Sequence, residues 1–341
     1  MAHPLQMPPP GRVAVIGAGM AGLACANALR ERGLQVIVFE KSRGPGGRVA
    51  TRLTEHGSFD HGAQYFTAHT HRFEAQVQRW VDAGVAARWP GKLIAFDRRR
   101  LIDKPLGPER FVGIGGMHAI GRHLAAPLEL LLETKIVRLE RRGLLWHLHD
   151  EAGKLTAMRG FDGVVVTAPS PQTAELLRDH TPLAAAAASV NWEPCWTAML
   201  AVSRATGIDY DAAFVNDDPI LGWISRDDRK AERERVKGVA ERWVLHANPR
   251  WSRKYLELKP EAAAHWLARS FSARVGRPVT ARNLTGHRWR YATPTRPLKE
   301  PFLWDGDRRL GAAGDWCGDP RVEGAFLSGL ALAEAIAAAA R

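Results

Sequence analysis

Apolar residues alternate along this chain between short continuous runs and runs at helical spacing, and together these predict its elements. Residues 12–16, Arg12-Val13-Ala14-Val15-Ile16, form a continuous apolar run, as in a strand buried on both faces. Residues 23–32 are rich in Ala and Leu and therefore helical, and Gly33 stands where a left-handed C-cap is wanted. A β-branched run follows at 35–39. Further strands are expected at 133–138, 144–148, 161–169, 195–202, 213–215, 222–225, 243–247 and 310–313, with a hairpin turn at 150–154. Helices are expected at 71–83, where Phe73, Val77, Trp80 and Val81 fall at roughly helical spacing, and at 113–124, 172–177, 260–275 and 324–340. Residues 89–110 read as irregular, with a Pro-containing turn at Lys104-Pro105-Leu106-Gly107-Pro108.

The junction of the first strand and first helix carries chemistry. Gly17-Ala18-Gly19-Met20-Ala21-Gly22 matches G-x-G-x-x-G, and Glu40 ends the second strand 18 residues past Gly22. Gly17 permits the tight turn, Gly19 lets backbone approach a pyrophosphate, and Gly22 lets the helix pack closely on the strand. The helix N-terminus offers unpaired N–H groups and partial positive charge to phosphates. Glu40 can accept hydrogen bonds from adenosine ribose hydroxyls and disfavours a 2′-phosphate. Strand, helix, strand and acid all fall at dinucleotide-binding spacing.

With 341 residues, 45% hydrophobic and 25% charged, the chain has the size and composition of a soluble protein of two domains. No apolar run approaches a membrane span, and residues 1–10 show neither the basic nor the apolar region of a signal peptide, so they read as a leader. The three cysteines, Cys25, Cys195 and Cys317, lie too far apart for a zinc site or disulfide framework, which points to the cytoplasm. The net charge of +12 suits nucleic acid, an anionic surface or a phosphate-bearing small molecule. Arg98-Arg99-Arg100 is one basic cluster, while residues 226–242 mix basic and acidic positions as a solvated surface does. No nucleic-acid-binding signature is present, so a small polyanion is the better-matched partner, with neither nucleic acid nor membrane expected.

After Glu40 comes a second Gly/Arg loop, Lys41-Ser42-Arg43-Gly44-Pro45-Gly46-Gly47-Arg48, then Thr51-Arg52 and Phe59-Asp60-His61-Gly62-Ala63-Gln64-Tyr65-Phe66. Such a loop can bring backbone to a second part of a cofactor while arginine offsets phosphate charge. These blocks resemble the glutathione-reductase-type FAD fold of the flavin amine oxidase superfamily, and the segment from Phe59 to Phe66 is similar to its renalase branch. The resemblance extends to Gly113-Ile114-Gly115-Gly116-Met117, to His287-Arg288-Trp289-Arg290-Tyr291-Ala292-Thr293-Pro294, to Leu310-Gly311-Ala312-Ala313-Gly314-Asp315 and to Gly324-Ala325-Phe326.

It implies an α/β fold, a Rossmann-type FAD-binding domain (11–66, 108–170 and 286–341) with an inserted α+β substrate domain of antiparallel sheet plus helices (67–107 and 171–285). It implies non-covalent FAD held by Gly17, Ala18, Gly19, Met20, Ala21, Gly22, Glu40, Lys41, Gly47, Arg48, Gly62, Ala63, Gln64, Val137, Gly314, Asp315, Gly324 and Ala325. Ala168 would lie near the adenine on a weaker match, and the surroundings of Cys317 do not resemble a flavin-attachment motif.

Renalase-like enzymes oxidise aberrant dihydro isomers of NAD(P)H, passing hydride to FAD and then electrons to dioxygen, with no general base required. The resemblance therefore implies a dinucleotide-type substrate, dioxygen as partner and hydrogen peroxide as product. Gln64, Tyr65, His287, Trp289 and Tyr291 are the candidate substrate contacts, aromatic rings to sandwich a planar ring and polar groups for its carboxamide. His61 is read as bonding the loop, and Cys25 as packing helix on sheet. An amine oxidase or carotenoid-type desaturase on the same scaffold, and a non-catalytic flavin- or nucleic-acid-binding protein, are the alternatives. The oligomeric state stays open.

Overall fold

The computed structural model describes residues 11–97, 100–103 and 107–339. Residues 1–10, expected to be a leader, and Arg98-Arg99, Lys104-Pro105-Leu106 and Ala340-Arg341 lie outside the described residues. The chain divides into two compact units, one of residues 1–47, 121–191 and 294–341, the other of residues 48–120 and 192–293.

The first unit is built on a six-stranded sheet. Its order is Glu129–Leu131, Gln35–Phe39, Arg12–Ile16, Gly163–Val166, Leu310–Ala312 and Leu303–Asp305. The first five run parallel and the last antiparallel. Ala14, Val15 and Val164 to Val166 are fully buried, as the continuous apolar runs require. The helix Met20–Glu31 ends at Gly33, whose φ of 83° is the left-handed conformation expected there. The helix Val322–Ala338 packs against it so closely that a Cβ on Gly329 would stand 2.0 Å from the Ala21 carbonyl oxygen. In place of one strand over 133–138 there are two, Glu129–Leu131 and Ile136–Arg142, because Glu133 turns left-handed at φ 52°. The second of these pairs with Leu145–Asp150, and the expected turn follows, Asp150 N–H donating to the Lys154 carbonyl at 3.1 Å.

The second unit carries a seven-stranded sheet covered by the helix Pro260–Val275. Proline at the first turn and Gly276 at φ 76° give this helix its expected ends. Trp196, Leu200, Trp243, Leu245, Leu267 and Phe271 fill the space between sheet and helix. Two expectations are corrected. Residues 89–110 are not irregular, since Leu93–Asp97 and Arg100–Asp103 form an antiparallel pair. Leu93–Asp97 also runs parallel to Ala212–Val215, so the sheet is mixed where an antiparallel one was expected. Among the described residues no helix is long and apolar enough to cross a membrane.

Candidate functional site

In the first unit the chain runs from Arg12–Ile16 to Gln35–Phe39 on one side and later returns as Gly163–Val166 on the other. That reversal opens a crevice beyond the carboxyl ends of the strands, where open α/β sheets bind ligands. Gly17 makes the turn there at φ 107°. Thr167, at the matching strand end, donates its hydroxyl to the carbonyls of Ile16 and Gly17 at 3.1 and 3.0 Å, fixing the mouth of the crevice.

The glycines divide the work as expected. A Cβ on Gly22 would stand 1.9 Å from the Gly17 carbonyl oxygen, so this glycine seats helix on turn. A Cβ on Gly19 would meet nothing within 4 Å, so the backbone there faces open space. No side chain caps the helix that begins at Met20, which leaves its first N–H groups for a ligand. The second glycine loop lies directly beside it, with Gly46 N–H donating to the Ala18 carbonyl at 2.8 Å. A Cβ on Gly47, which stands at φ 57°, would lie 3.4 Å from Gly19 Cα. Glu40 is buried at the end of its strand and accepts from Ala18 N–H and Ser42 N–H, each at 2.8 Å. A carboxylate offers about four lone-pair sites, so acceptors remain for a ribose diol. These residues fit the adenosine and phosphates of FAD.

Other candidates of this unit scatter. Gly314 N–H donates to Ser328 Oγ at 3.0 Å, and Asp315 is buried beside it. Gly324 and Ala325 stand in the first turn of Val322–Ala338. Lys41 extends its Nζ to Gln172 Oε1 at 3.3 Å. Val137 sits at an irregularity in the ladder and is 46% exposed, which frees its backbone from strand pairing. Cys25 is fully buried among helix and sheet, and burial pushes its thiol up to about 12.

The remaining candidates belong to the second unit, where residues 61–65 form a loop. Ala63 N–H donates to the Arg48 carbonyl at 2.9 Å, and the Trp289 indole N–H donates to the His61 carbonyl at 2.8 Å. A Cβ on Gly62 would stand 2.1 Å from the Arg48 carbonyl oxygen. The His61 ring stacks on Trp289 at 5.1 Å and meets His287 edge-on at 4.7 Å. Burial, with His287 and Arg52 adding to it, lowers His61 to about 3. Burial and Arg52 lower His287 to about 4, so both rings are neutral near pH 7. The Arg48 guanidinium lies 5.1 Å over the Trp192 ring, which Tyr291 meets edge-on at 5.9 Å. Tyr65 joins a different group, between Trp89 and Trp223 at 5.7 and 5.8 Å, with Arg110 5.6 Å over Trp89. Burial raises the Tyr65 phenol, against Arg110.

Beneath the loop lies a cluster that the sequence reading missed. Asp60, Asp227, Lys230 and Arg233 have fully buried side chains. The Asp60 carboxylate accepts from Thr51 Oγ at 2.7 Å, Met117 N–H at 2.9 Å, Lys230 Nζ at 3.2 Å and Arg233 Nη2. Asp227 accepts from Asp60 N–H at 3.1 Å and pairs with Lys230 Nζ at 2.6 Å. Burial pushes the Asp60 carboxyl up, but Lys230 and Arg233 outweigh it and hold it below the usual range. Gln64, a candidate substrate contact, spends its amide on this network: Nε2 donates to the carbonyls of Asp60 and Gly62, and Oε1 accepts from Lys230. Residues 226–242 are thus only in part a solvated surface: Arg229, Glu232, Glu234, Arg235 and Lys237 are exposed, but Asp227, Lys230, Arg233, Glu241 and Arg242 are buried. Charge alternation looks like surface when the counter-charge comes from elsewhere, and Asp60 lies 170 residues from Lys230.

Residues 15–83 match the NAD(P)-binding Rossmann-like domain family. Over 221 residues the chain is 33% identical to the tRNA 5-methylaminomethyl-2-thiouridine biosynthesis bifunctional protein MnmC of Magnetococcus marinus, a match spanning 52% of this chain and 32% of that protein. The chain thus spans about a third or less of the curated relatives it matches. Among solved structures it is similar to cyclohexylamine oxidase from Brevibacterium oxydans, with TM-score 0.69 and 13% identity over 97% of this chain and 99% of that one. It is likewise similar to reduced UDP-galactopyranose mutase, with TM-score 0.75 and 11% identity over 97% and 94%. The chain has the fold that these two enzymes share. It is an α/β fold of Rossmann type with mixed sheets.

Proposed function

We propose that this chain is an FAD-dependent oxidoreductase of renalase type, oxidising 1,2- and 1,6-dihydro isomers of NAD(P) to NAD(P)+. The cradle at Gly17, Gly19 and Glu40 supports a dinucleotide cofactor, and fold likeness to amine oxidases favours FAD over a nicotinamide. When bound, FAD supplies a hydride acceptor and returns two electrons to dioxygen as hydrogen peroxide. The protein binds and orients. Glu40 would accept from ribose hydroxyls, and the helix N-terminus at Met20 would meet phosphate, with Gly19 placing no side chain in the way.

One observation carries the substrate class. The aromatic faces of the second unit already have cations over them, Arg48 on Trp192 and Arg110 on Trp89, and His61 and His287 lie beside Arg52. Such a surface repels an ammonium and attracts a phosphate-bearing molecule. A dihydronicotinamide ring already carries the electrons and leaves as an aromatic cation, so neutral histidines suffice and no residue need remove a proton. The FAD-binding part is assigned to 11–66, 108–170 and 286–341 and the substrate part to 67–107 and 171–285, in a cytoplasmic protein with reduced cysteines.

A second reading, an amine substrate, draws on the likeness to cyclohexylamine oxidase. The deciding experiment is a visible spectrum of the purified protein, followed by anaerobic addition of 1,2- and 1,6-dihydro-NAD. Bleaching of a bound flavin, reversed by air with peroxide release, is the expected result. Bleaching by amines alone selects the second reading, and a protein unable to take up FAD overturns both.

A further inference from the structure

The ammonium of Lys230 stands 2.6 Å from Asp227 Oδ1, 3.2 Å from Asp60 Oδ2 and 3.3 Å from Gln64 Oε1. A lysine ammonium has three donors and no acceptor, so each of these three neighbours has to present an oxygen to it. Gln64 must therefore turn its oxygen, and not its NH2, toward Lys230, because the reversed amide would set donor against donor. The NH2 lies against the carbonyl oxygens of Asp60 and Gly62, the latter at 3.1 Å, and these only accept. Both ends of the amide thus demand the same orientation.

The same NH2 stands 3.5 Å from His246 Nε2. The amide nitrogen accepts no hydrogen bond and its two hydrogens point at the carbonyls, so a proton on that ring nitrogen would face a donor, and the imidazole proton belongs on Nδ1. His246 in turn lies against the backbone of His61, the first residue of the loop. A buried charge is relayed through one amide to a histidine ring and to the loop at once.

We propose that Lys230 is a positioning residue that, through the Gln64 amide, holds the backbone of residues 61–65 and the Nδ1–H tautomer of His246. The tautomer stands on the hydrogen-bond geometry alone. The consequence for cofactor affinity rests on the flavin reading, in which this loop runs toward the isoalloxazine.

The test uses full-length protein labelled with 15N-histidine, with His246→Asn identifying the His246 signals in long-range 1H–15N spectra. Wild type is expected to show His246 as the Nδ1–H tautomer. Gln64→Glu keeps an acceptor for Lys230 but offers a carboxylate to His246, and is expected to move the proton to Nε2. Lys230→Met is expected to leave a mixture of tautomers and to weaken FAD binding at least tenfold by fluorescence titration. In a Gln64→Met background the same substitution should change FAD affinity less than twofold, since its route is already cut.

Unchanged His246 signals in both Lys230→Met and Gln64→Glu, or fully additive losses of FAD affinity, overturn the proposal. A lysine that merely balances charge would leave the tautomer as it was. Should Lys230→Met not fold, the double variant Lys230→Met/Asp227→Asn removes one charge of each sign and is read the same way. Wild-type protein that takes up no FAD overturns the flavin reading, and the His246 tautomer then decides this inference by itself.

Discussion

Two glycines three residues apart separate folding from binding. A methyl group at Gly22 collides with the Gly17 carbonyl and the Thr167 hydroxyl, at 1.9 and 2.6 Å, whereas one at Gly19 meets nothing. Gly22→Ala is expected to lose about 3 kcal/mol of stability in urea unfolding, the upper range for a forced overlap. Gly19→Ala should unfold like wild type and bind FAD at least tenfold more weakly by flavin fluorescence. His61 and His287 give a second residue-scale prediction. Their ordinary value of 6.5 falls to about 3 and about 4 on folding. Between those limits the unfolded chain holds more protons, so stability is lost as pH falls below 6.5 and recovers as pH rises. Urea midpoints taken from neutral pH down to about pH 4 should drop more steeply for wild type than for His61→Asn or His287→Asn.

Elements were legible in proportion to how local their signals are. The helix Pro260–Val275 carries proline at its start and glycine past its end, and the observed bounds are those expected. The helix His71–Asp82 begins at Thr70, whose hydroxyl accepts from Phe73 N–H at 3.3 Å. Thr70→Ala should therefore cost about 1 kcal/mol, read as a lowered urea midpoint with unchanged slope. The pairing of Leu93–Asp97 with Ala212–Val215 was hidden because the two are remote in sequence, and its pairing with Arg100–Asp103 because both runs are short. The candidate site divides likewise. The glycine turn, its helix and Glu40 fall within one βαβ unit, so spacing revealed them. Lys230 meets Asp60 and Gln64 across 170 and 166 residues, and no local pattern announces such partners.

For the whole molecule, the net charge of +12 gives a third kind of test. If the substrate carries phosphates, its KM should rise with salt while kcat holds, because screening weakens encounter and not chemistry. A flat KM would argue for an uncharged or cationic substrate.

The order of the six-stranded sheet also dictates when the molecule can be finished. Arg12–Ile16 finds Gln35–Phe39 after a single intervening helix, but its other neighbour, Gly163–Val166, is synthesised much later, and that strand waits in turn for Leu310–Ala312. Val322–Ala338, which closes over Ala21, comes later still. Such non-local pairing folds slowly. During vectorial synthesis at roughly 5–20 residues per second, the glycine turn is exposed for many seconds with one wall missing. Loading of the cofactor accordingly waits at least until residue 167 has been made, and a ribosome stalled before residue 163 would hold a chain whose phosphate-binding turn has no partner strand on its far side.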